Sequence, residues 1–379
     1  MTKNIHVMYS FAGNKNFGDD YIASEWIRFN KKSGYGKQIL FSSDSTWLQS
    51  YHMQDGAIFN NVLPAIIHQH AKEMRENLGV ERLSVAQYIE CGNAAADFLI
   101  ESDQWRGLIR NIVSLQACGG GYVNQIFPQV YSVVSMMKRL GERLAVPLYG
   151  TGLGLCPMDT TDSAITSVFE GFERIECRDR ESLNALNETG GKIASSFGCD
   201  DTFLTPVRYA QQPTRKPTLF INIQSDSNAH LQSEILNRVQ NLAGQLKDTH
   251  TVNYIHFFQR SDARFLSALK NVVDISAVYS KDQLYAGGLP FQQGDICVSS
   301  RFHLHMLASR LGAKGAYVSG RPGYYDIKHR SVVDLGSNWI DLMDESFVPE
   351  SILSQSAPEM DECSLMMSKR ALATEILMN

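Results

Sequence analysis

Ten residues, Ser299-Ser-Arg-Phe-His-Leu-His-Met-Leu-Ala308, carry the densest chemistry in this chain. The apolar run Asp295-Ile-Cys-Val-Ser299 precedes them and predicts a short buried strand ending at Ser299. Leu304, Leu307, Ala308 and Leu311 then recur at the core-facing spacing of a helix. A strand running into a helix start is where open α/β sheets hold ligands, and the free backbone amides there favour anions. Arg301 adds a cation that can fork a phosphate or carboxylate. His303, two residues on, can move a proton beside it. This is chemistry for a small anionic substrate. His305 projects about 200° around the helix from His303, so the two do not share one ion.

Other junctions repeat the pattern with less chemistry. Phe11-Ala-Gly-Asn-Lys-Asn-Phe-Gly-Asp-Asp20 lies between a strand and an amphipathic helix, and Asn16, Gly18 and Asp19 are its candidate site residues. Asp19 reads either as a helix cap or as a carboxylate able to accept a hydroxyl proton. No Gly-Lys-Ser/Thr follows, so this is not a P-loop. Cys118-Gly-Gly-Gly-Tyr122 ends another strand. Gly119, Gly120 and Gly121 either let backbone amides approach a ligand or simply make a sharp turn. Arg178, in Glu176-Cys-Arg-Asp-Arg-Glu-Ser182, reads as a structural ion pair or as a ligand cation at a helix start. Tyr149-Gly-Thr-Gly-Leu-Gly-Leu-Cys-Pro157 lacks the helix that a dinucleotide fingerprint requires. No His-Glu-x-x-His or Cys/His cluster exists, so no metal is expected, and no Gly-x-Ser-x-Gly elbow exists.

Short apolar runs alternate with helical periodicity and must position these groups. Strands are expected at Ile5–Ser10, Gln38–Phe41, Ile112–Ala117, Val146–Thr151, Arg174–Cys177 and Ala194–Phe197. After the proline-rich stretch from Pro206 to Pro217 they resume at Thr218–Ile223, Thr251–Phe258, Val272–Ser276, Ile296–Ser299 and Ala316–Ser319. Helices are expected at Val62–Leu78, His230–Lys247 and Asp262–Lys270. The fold class is therefore α/β, with two doubly wound domains and ligands held in a cleft between them. The boundaries are 1–206, with a helical excursion over about 47–110 containing one strong helix, and 216–348. A helical tail over 349–379 is expected to pack back on the first domain.

Composition narrows the partners. A chain of 379 residues exceeds one hydrophobic core and suits two domains. A net charge of −5, without a Lys/Arg stripe, disfavours nucleic acid. Seven scattered cysteines without a C-x-x-C pair suit reduced core thiols. With no signal-peptide core and no apolar run long enough to span a bilayer, the expectation is a cytoplasmic protein, able to work at a membrane surface.

Seven segments in order resemble the polysaccharide pyruvyl transferase family. They are Asn16-Phe-Gly-Asp19, Gly119–Gly121, Gly152-Leu-Gly-Leu-Cys-Pro157, Arg178-Asp-Arg-Glu-Ser182, Asp200-Asp-Thr-Phe-Leu204, Arg301-Phe-His303 and Tyr325-Asp-Ile-Lys328. Phe302, Asp20 and the longer turn before Pro157 depart from the family pattern. The resemblance implies two Rossmann-like domains of the GT-B type. It also implies phosphoenolpyruvate as co-substrate without a further cofactor, and a saccharide acceptor, free or lipid-linked. Arg178, Arg301 and Lys328 would hold the donor, and His303 would protonate its C3. The resulting oxocarbenium-like C2 takes one sugar hydroxyl, with Asp19 as candidate base. Phosphate then leaves and a second hydroxyl closes a ketal.

Two rivals stand beside this reading. One is a GT-B glycosyltransferase with a nucleotide-sugar donor, which usually places a carboxylate for the ribose near the donor phosphates. Here that region offers Arg301, His303, Arg310 and Arg321, with Asp326 the nearest acid in sequence. The other is a non-catalytic scaffold in polysaccharide assembly.

Overall fold

The computed structural model describes residues 4–13, 16–35, 37–41, 46–191, 193–210, 215–225, 229–321 and 323–378. Two compact units emerge. Unit 1 comprises Met1–Asn14, Asp19–Thr205 and Leu365–Asn379; unit 2 comprises Lys15–Gly18 and Pro206–Ser364.

In unit 1, seven described strands form one parallel sheet: β1 (Ile5–Tyr9), β2 (Gln38–Phe41), β3 (Ala57–Phe59), β4 (Ile112–Gly120), β5 (Leu148–Leu153), β6 (Arg174–Cys177) and β7 (Ser195–Phe197). Their order is β3-β2-β1-β4-β5-β6-β7. In unit 2, six described strands do the same: β8 (Thr218–Asn222), β9 (Thr251–Ile255), β10 (Ala277–Tyr279), β11 (Ile296–Ser299), β12 (Lys314–Tyr317) and β13 (Ile340–Asp341). Their order is β10-β9-β8-β11-β12-β13, again all parallel. Both orders are doubly wound, starting at an inner strand and reversing once. Each sheet carries its own apolar core, around Leu115, Leu140 and Ile175 in unit 1 and around Ile221, Val239 and Val298 in unit 2.

Several expectations need correction. Val272–Ser276 is not a strand. Its amides at Val272 and Val273 close the preceding helix on Leu269 O, and pairing starts only at Ser276, which donates to Val252 O. β-branched residues there serve as a helix exit rather than a ladder. β4 runs on through Gly120, and β5 and β12 are displaced by two residues from their expected places. The excursion holds two long helices, not one. Val85–Glu101 starts at a capping box between Ser84 and Gln87 and lies on the helix Val130–Leu144. Gly92 makes that approach possible, because a Cβ there would sit 2.0 Å from Ser132 O.

The tail divides. Pro349–Ser354 belongs to unit 2, whereas the helix Glu362–Met378 passes into unit 1 from Leu365. Residues 211–214 of the expected linker lie outside the described residues. Its end at Arg215 is pinned in unit 2 by a forked contact to Asp295, at 2.6 and 2.9 Å. Among the described residues, no helix is long and apolar enough to cross a membrane.

Candidate functional site

In unit 2, β8 and β11 are neighbours whose chain connections leave in opposite directions, so their carboxyl ends form a switch point. Ser300 N donates to Asn222 O (3.0 Å), joining the two strand ends, and Ser300 Oγ accepts from Gln224 N (2.8 Å). Arg301 then caps the helix Phe302–Arg310, its own N–H donating to Ser299 Oγ (2.9 Å).

The guanidinium is braced from behind. Arg301 Nη2 donates to Asp262 Oδ1 at 2.6 Å, and Arg301 Cζ stands 5.6 Å from the centre of the Phe258 ring. Asp262 is fully buried, and its Oδ2 also accepts from Asn222 Nδ2, Phe257 N and Phe258 N, each at 2.9 Å. Such a buried, multiply bonded carboxylate fixes the arginine in one orientation. Arg301 Nε and Gln224 Nε2 are buried and have no hydrogen-bond partner among the described residues. An unspent donor on a braced guanidinium suits an anionic ligand.

His303 occupies the first turn of the same helix, nearly buried and edge-on to Phe302. Its ring lies directly against Gly18, where a Cβ would come within 1.9 Å of Nδ1. Phe17 secures that approach, donating its N–H to Phe257 O (2.9 Å) and packing its ring 4.6 Å from that of Phe257. Asn16 Oδ1 accepts from Gly18 N at 3.2 Å. The early Asn16–Gly18 turn and the Arg301–His303 junction therefore share one site inside unit 2.

His305 faces the interior, as its position on the other flank requires. It stacks 4.3 Å from Trp339, and its Nδ1 lies 3.0 Å from Nδ1 of His329. Burial, then the neighbouring His329, holds His305 well below the ordinary histidine range. Burial likewise pushes His329 down to about 3. Above the unfolded value near 6.5 both states are neutral there. Below it the unfolded chain takes a proton that the fold refuses, so stability falls as pH falls from 6.5 toward 3. We expect His329→Asn to flatten that acid slope by one proton, about 1.4 kcal/mol per pH unit. Urea melts at a series of pH values measure it, and an unchanged slope would place His329 in contact with solvent.

Two other cations of unit 2 have partners of their own. Lys328 Nζ sits 3.5 Å over the Tyr324 ring. Arg310 forks the Glu362 carboxylate, with Nε 2.9 Å from Oε2. The acid that meets Arg301 is Asp262 rather than Asp326. It stands 39 residues upstream of Arg301, and no local motif marks it.

In unit 1 the expected residues gather around a buried carboxylate. Asp19 and Asp20 begin the helix Phe17–Ser33, and Asp20 Oδ1 accepts from Gly13 N (2.8 Å). Burial, then the Asp201 charge, pushes the Cys118 thiol well up, and Asp19 adds to it. Gly119 and Gly152 make room for Asp201 itself: a Cβ at either would meet its carboxylate oxygens, at 3.2 and 2.9 Å. Gly120, at φ +131°, lies against the Tyr122 ring, and Gly121 O accepts from Asn124 Nδ2.

Asp201 accepts from Trp26 Nε1 (2.9 Å), Thr151 Oγ1 (2.8 Å) and Lys369 Nζ (2.8 Å), and Lys369 also contacts Glu176. Thus Gly119 and Gly152 make close approaches to protein, not only to the solvent side of a turn. Arg178 is buried in unit 1 and paired through Nη1 with Asp200 Oδ2 at 2.7 Å. That contact is the ion pair among its two readings. Among the described residues, no three His, Cys, Asp or Glu side chains converge as a metal site.

No protein-family model matches the chain, and no curated protein matches its sequence. Solved structures do match it. The UDP-GlcNAc 2-epimerase of Methanocaldococcus jannaschii is 8% identical, with a TM-score of 0.54 over 97% of this chain and 99% of the epimerase. In its complex with UDP-GlcNAc and UDP the same enzyme gives 9%, 0.53, 98% and 99%. The S. aureus MnaA–UDP structure gives 7% identity and a TM-score of 0.52, over 100% of this chain and 98% of that one. The likeness shows the fold. It is α/β, with two Rossmann-like doubly wound units of the GT-B type.

Proposed function

We propose that this chain is a saccharide-directed enzyme that uses a phosphate-bearing donor, with the donor's anionic group held in unit 2 by Arg301, Gln224 and the start of the helix Phe302–Arg310. The carrying observation is the Asp262-braced guanidinium, whose Nε is buried and unspent among the described residues. A nucleotide sugar is the donor that the fold likeness supports, because M. jannaschii UDP-GlcNAc 2-epimerase was solved with UDP-GlcNAc and UDP. In that reading the diphosphate lies against the helix start and Arg301, and His303 protonates or orients the departing oxygen.

A second donor, phosphoenolpyruvate, is favoured by a separate observation. His303, two residues after Arg301, lies against Gly18 of the turn that carries the first motif of the pyruvyl transferase resemblance. Its enol carbon needs a proton donor beside a cation that holds phosphate or carboxylate. The two donors are separable by thermal melting, since a true ligand raises the melting temperature by mass action. UDP-GlcNAc, UDP, phosphoenolpyruvate and inorganic phosphate are the probes. Stabilisation by the uridine compounds alone supports the first donor, and by phosphoenolpyruvate alone the second.

Whichever donor binds, Arg301→Ala should weaken it by about 1.5 to 3 kcal/mol, the range for a hydrogen bond to a charged group. Titration calorimetry reads that loss. Unchanged affinity would put the anion elsewhere and overturn the assignment.

A further inference from the structure

Unit 1 contains a pocket of about 310 Å³ that the donor site does not involve. The helices Val62–Leu78 and Val130–Leu144 wall it with Ile67, Ala71 and Val133, and Phe11, just beyond β1, lies in its floor. Phe11 is held by stacking on Tyr122, with ring centres 4.7 Å apart. Ala71 and Val133 are themselves buried in the cores beneath, so the walls are firm. At roughly 30 Å³ per water, the space equals about ten waters and admits an apolar group of about ten heavy atoms.

His68, Gln129 and Ser132 also line the pocket, with Ser132 Oγ donating to Gln129 O. Arg75 and Tyr88 line it, and neither the guanidinium nor the phenol hydroxyl makes a hydrogen bond or ion pair among the described residues. Other cations on these two helices have carboxylate partners: Lys72 pairs with Glu76, Arg139 and Arg143 share Asp97, and Lys138 pairs with Glu142. Arg75 is different because its helical neighbours at i−4, i−3, i+3 and i+4 are Ala71, Lys72, Leu78 and Gly79. A pocket of mixed lining, with apolar walls from Ile67, Ala71 and Val133 and, at its border, a phenol and a cation that has no carboxylate partner among the described residues, has the composition of a ligand site.

We propose that this pocket binds an amphiphilic anion, with its apolar body against Phe11, Ile67 and Val133 and its phosphate or carboxylate head on Arg75. The inference stands on unit 1 alone and holds for either donor in unit 2. Titration calorimetry on the full chain tests it with geranyl phosphate, decanoate, geraniol and inorganic phosphate. Geranyl phosphate or decanoate should bind at least tenfold more tightly than geraniol, and inorganic phosphate should not compete. A phosphate head and a carboxylate head are distinguished by which of the first two binds better.

Arg75→Gln, a substitution on a partly exposed helical position, should abolish the preference for the charged amphiphile over geraniol. Arg106→Gln, at an exposed arginine paired with Asp103, should leave it unchanged. Equal binding of geraniol and geranyl phosphate, no binding of either anion, or an Arg75→Gln protein that keeps the preference would each overturn the proposal.

Discussion

Lys369→Met should lower the unfolding free energy by about 3 to 5 kcal/mol, the cost of removing one partner from a buried ion pair. Lys369 is fully buried, although it comes from a terminal helix, and its ammonium meets both Asp201 and Glu176. Burial alone would push that ammonium down; the two carboxylates outweigh it and push it up. Glu176 shows the opposing balance, raised by burial and drawn back by Lys369. Without the lysine, two acids remain inside unit 1 with little to offset them. Because whole-domain stability is about 5 to 15 kcal/mol, the loss is a large part of the total.

A companion variant separates charge from packing. Lys369→Met combined with Glu176→Gln and Asp201→Asn should recover much of the loss, because neutral amides need no counter-charge. Urea unfolding at neutral pH measures both. A Lys369→Met protein within 1 kcal/mol of the parent would mean that the three charges do not share a dry interior.

The second large effect is chemical. In the donor-dependent reaction proposed here, His303→Gln should reduce turnover at least about a hundredfold, the low end for removal of a general acid or base. Donor affinity should change little, because Arg301 remains braced by Asp262. His305→Gln should act differently. It removes a ring stacked between Trp339 and His329, so it should lower stability and leave the turnover of folded protein near normal. Single-turnover rates alongside donor titrations distinguish the two. Near-normal turnover for His303→Gln would remove it from the chemistry.

Much of this architecture was legible because buried parallel strands are short apolar runs between turns. Gln38–Phe41, Arg174–Cys177 and Ile296–Ser299 stand at their expected bounds. Val272–Ser276 has the same composition, yet its backbone is taken by the helix before it, a competition that residue type does not display. The helix Val85–Glu101 lies inside a segment whose pattern fits no β-α alternation. Its decisive contact is Gly92 against Ser132 O, which lies 40 residues away.

The candidate site divides along the same line. Arg301 and His303 are visible as a strand-to-helix junction, because both chemistries fall within three residues at the cap and first turn of one helix. Asp262 is invisible, since its importance lies in reaching Arg301 across the sheet. The glycine turns carried a real signal of close approach. In unit 1, what comes close to Gly119 and Gly152 is the protein's own Asp201 carboxylate.

The division of the chain has a consequence for how this protein is made. Unit 2 takes residues 15–18 from the beginning of the sequence, and unit 1 takes residues 365–379 from its end. A ribosome delivers residues at about 5 to 20 per second, and domains tend to fold as they emerge. Unit 1 is the first to be nearly complete and the last to be finished. Until the helix Glu362–Met378 is released, Asp201 and Glu176 lack the ammonium that later contacts both. A message truncated shortly before codon 369 would therefore yield a chain with nearly all of both sheets and an unbalanced interior. The helix Glu362–Met378 thus closes unit 1 only after the strands of unit 2 have been made, because only a chain translated past Lys369 supplies the cation that meets Asp201 and Glu176.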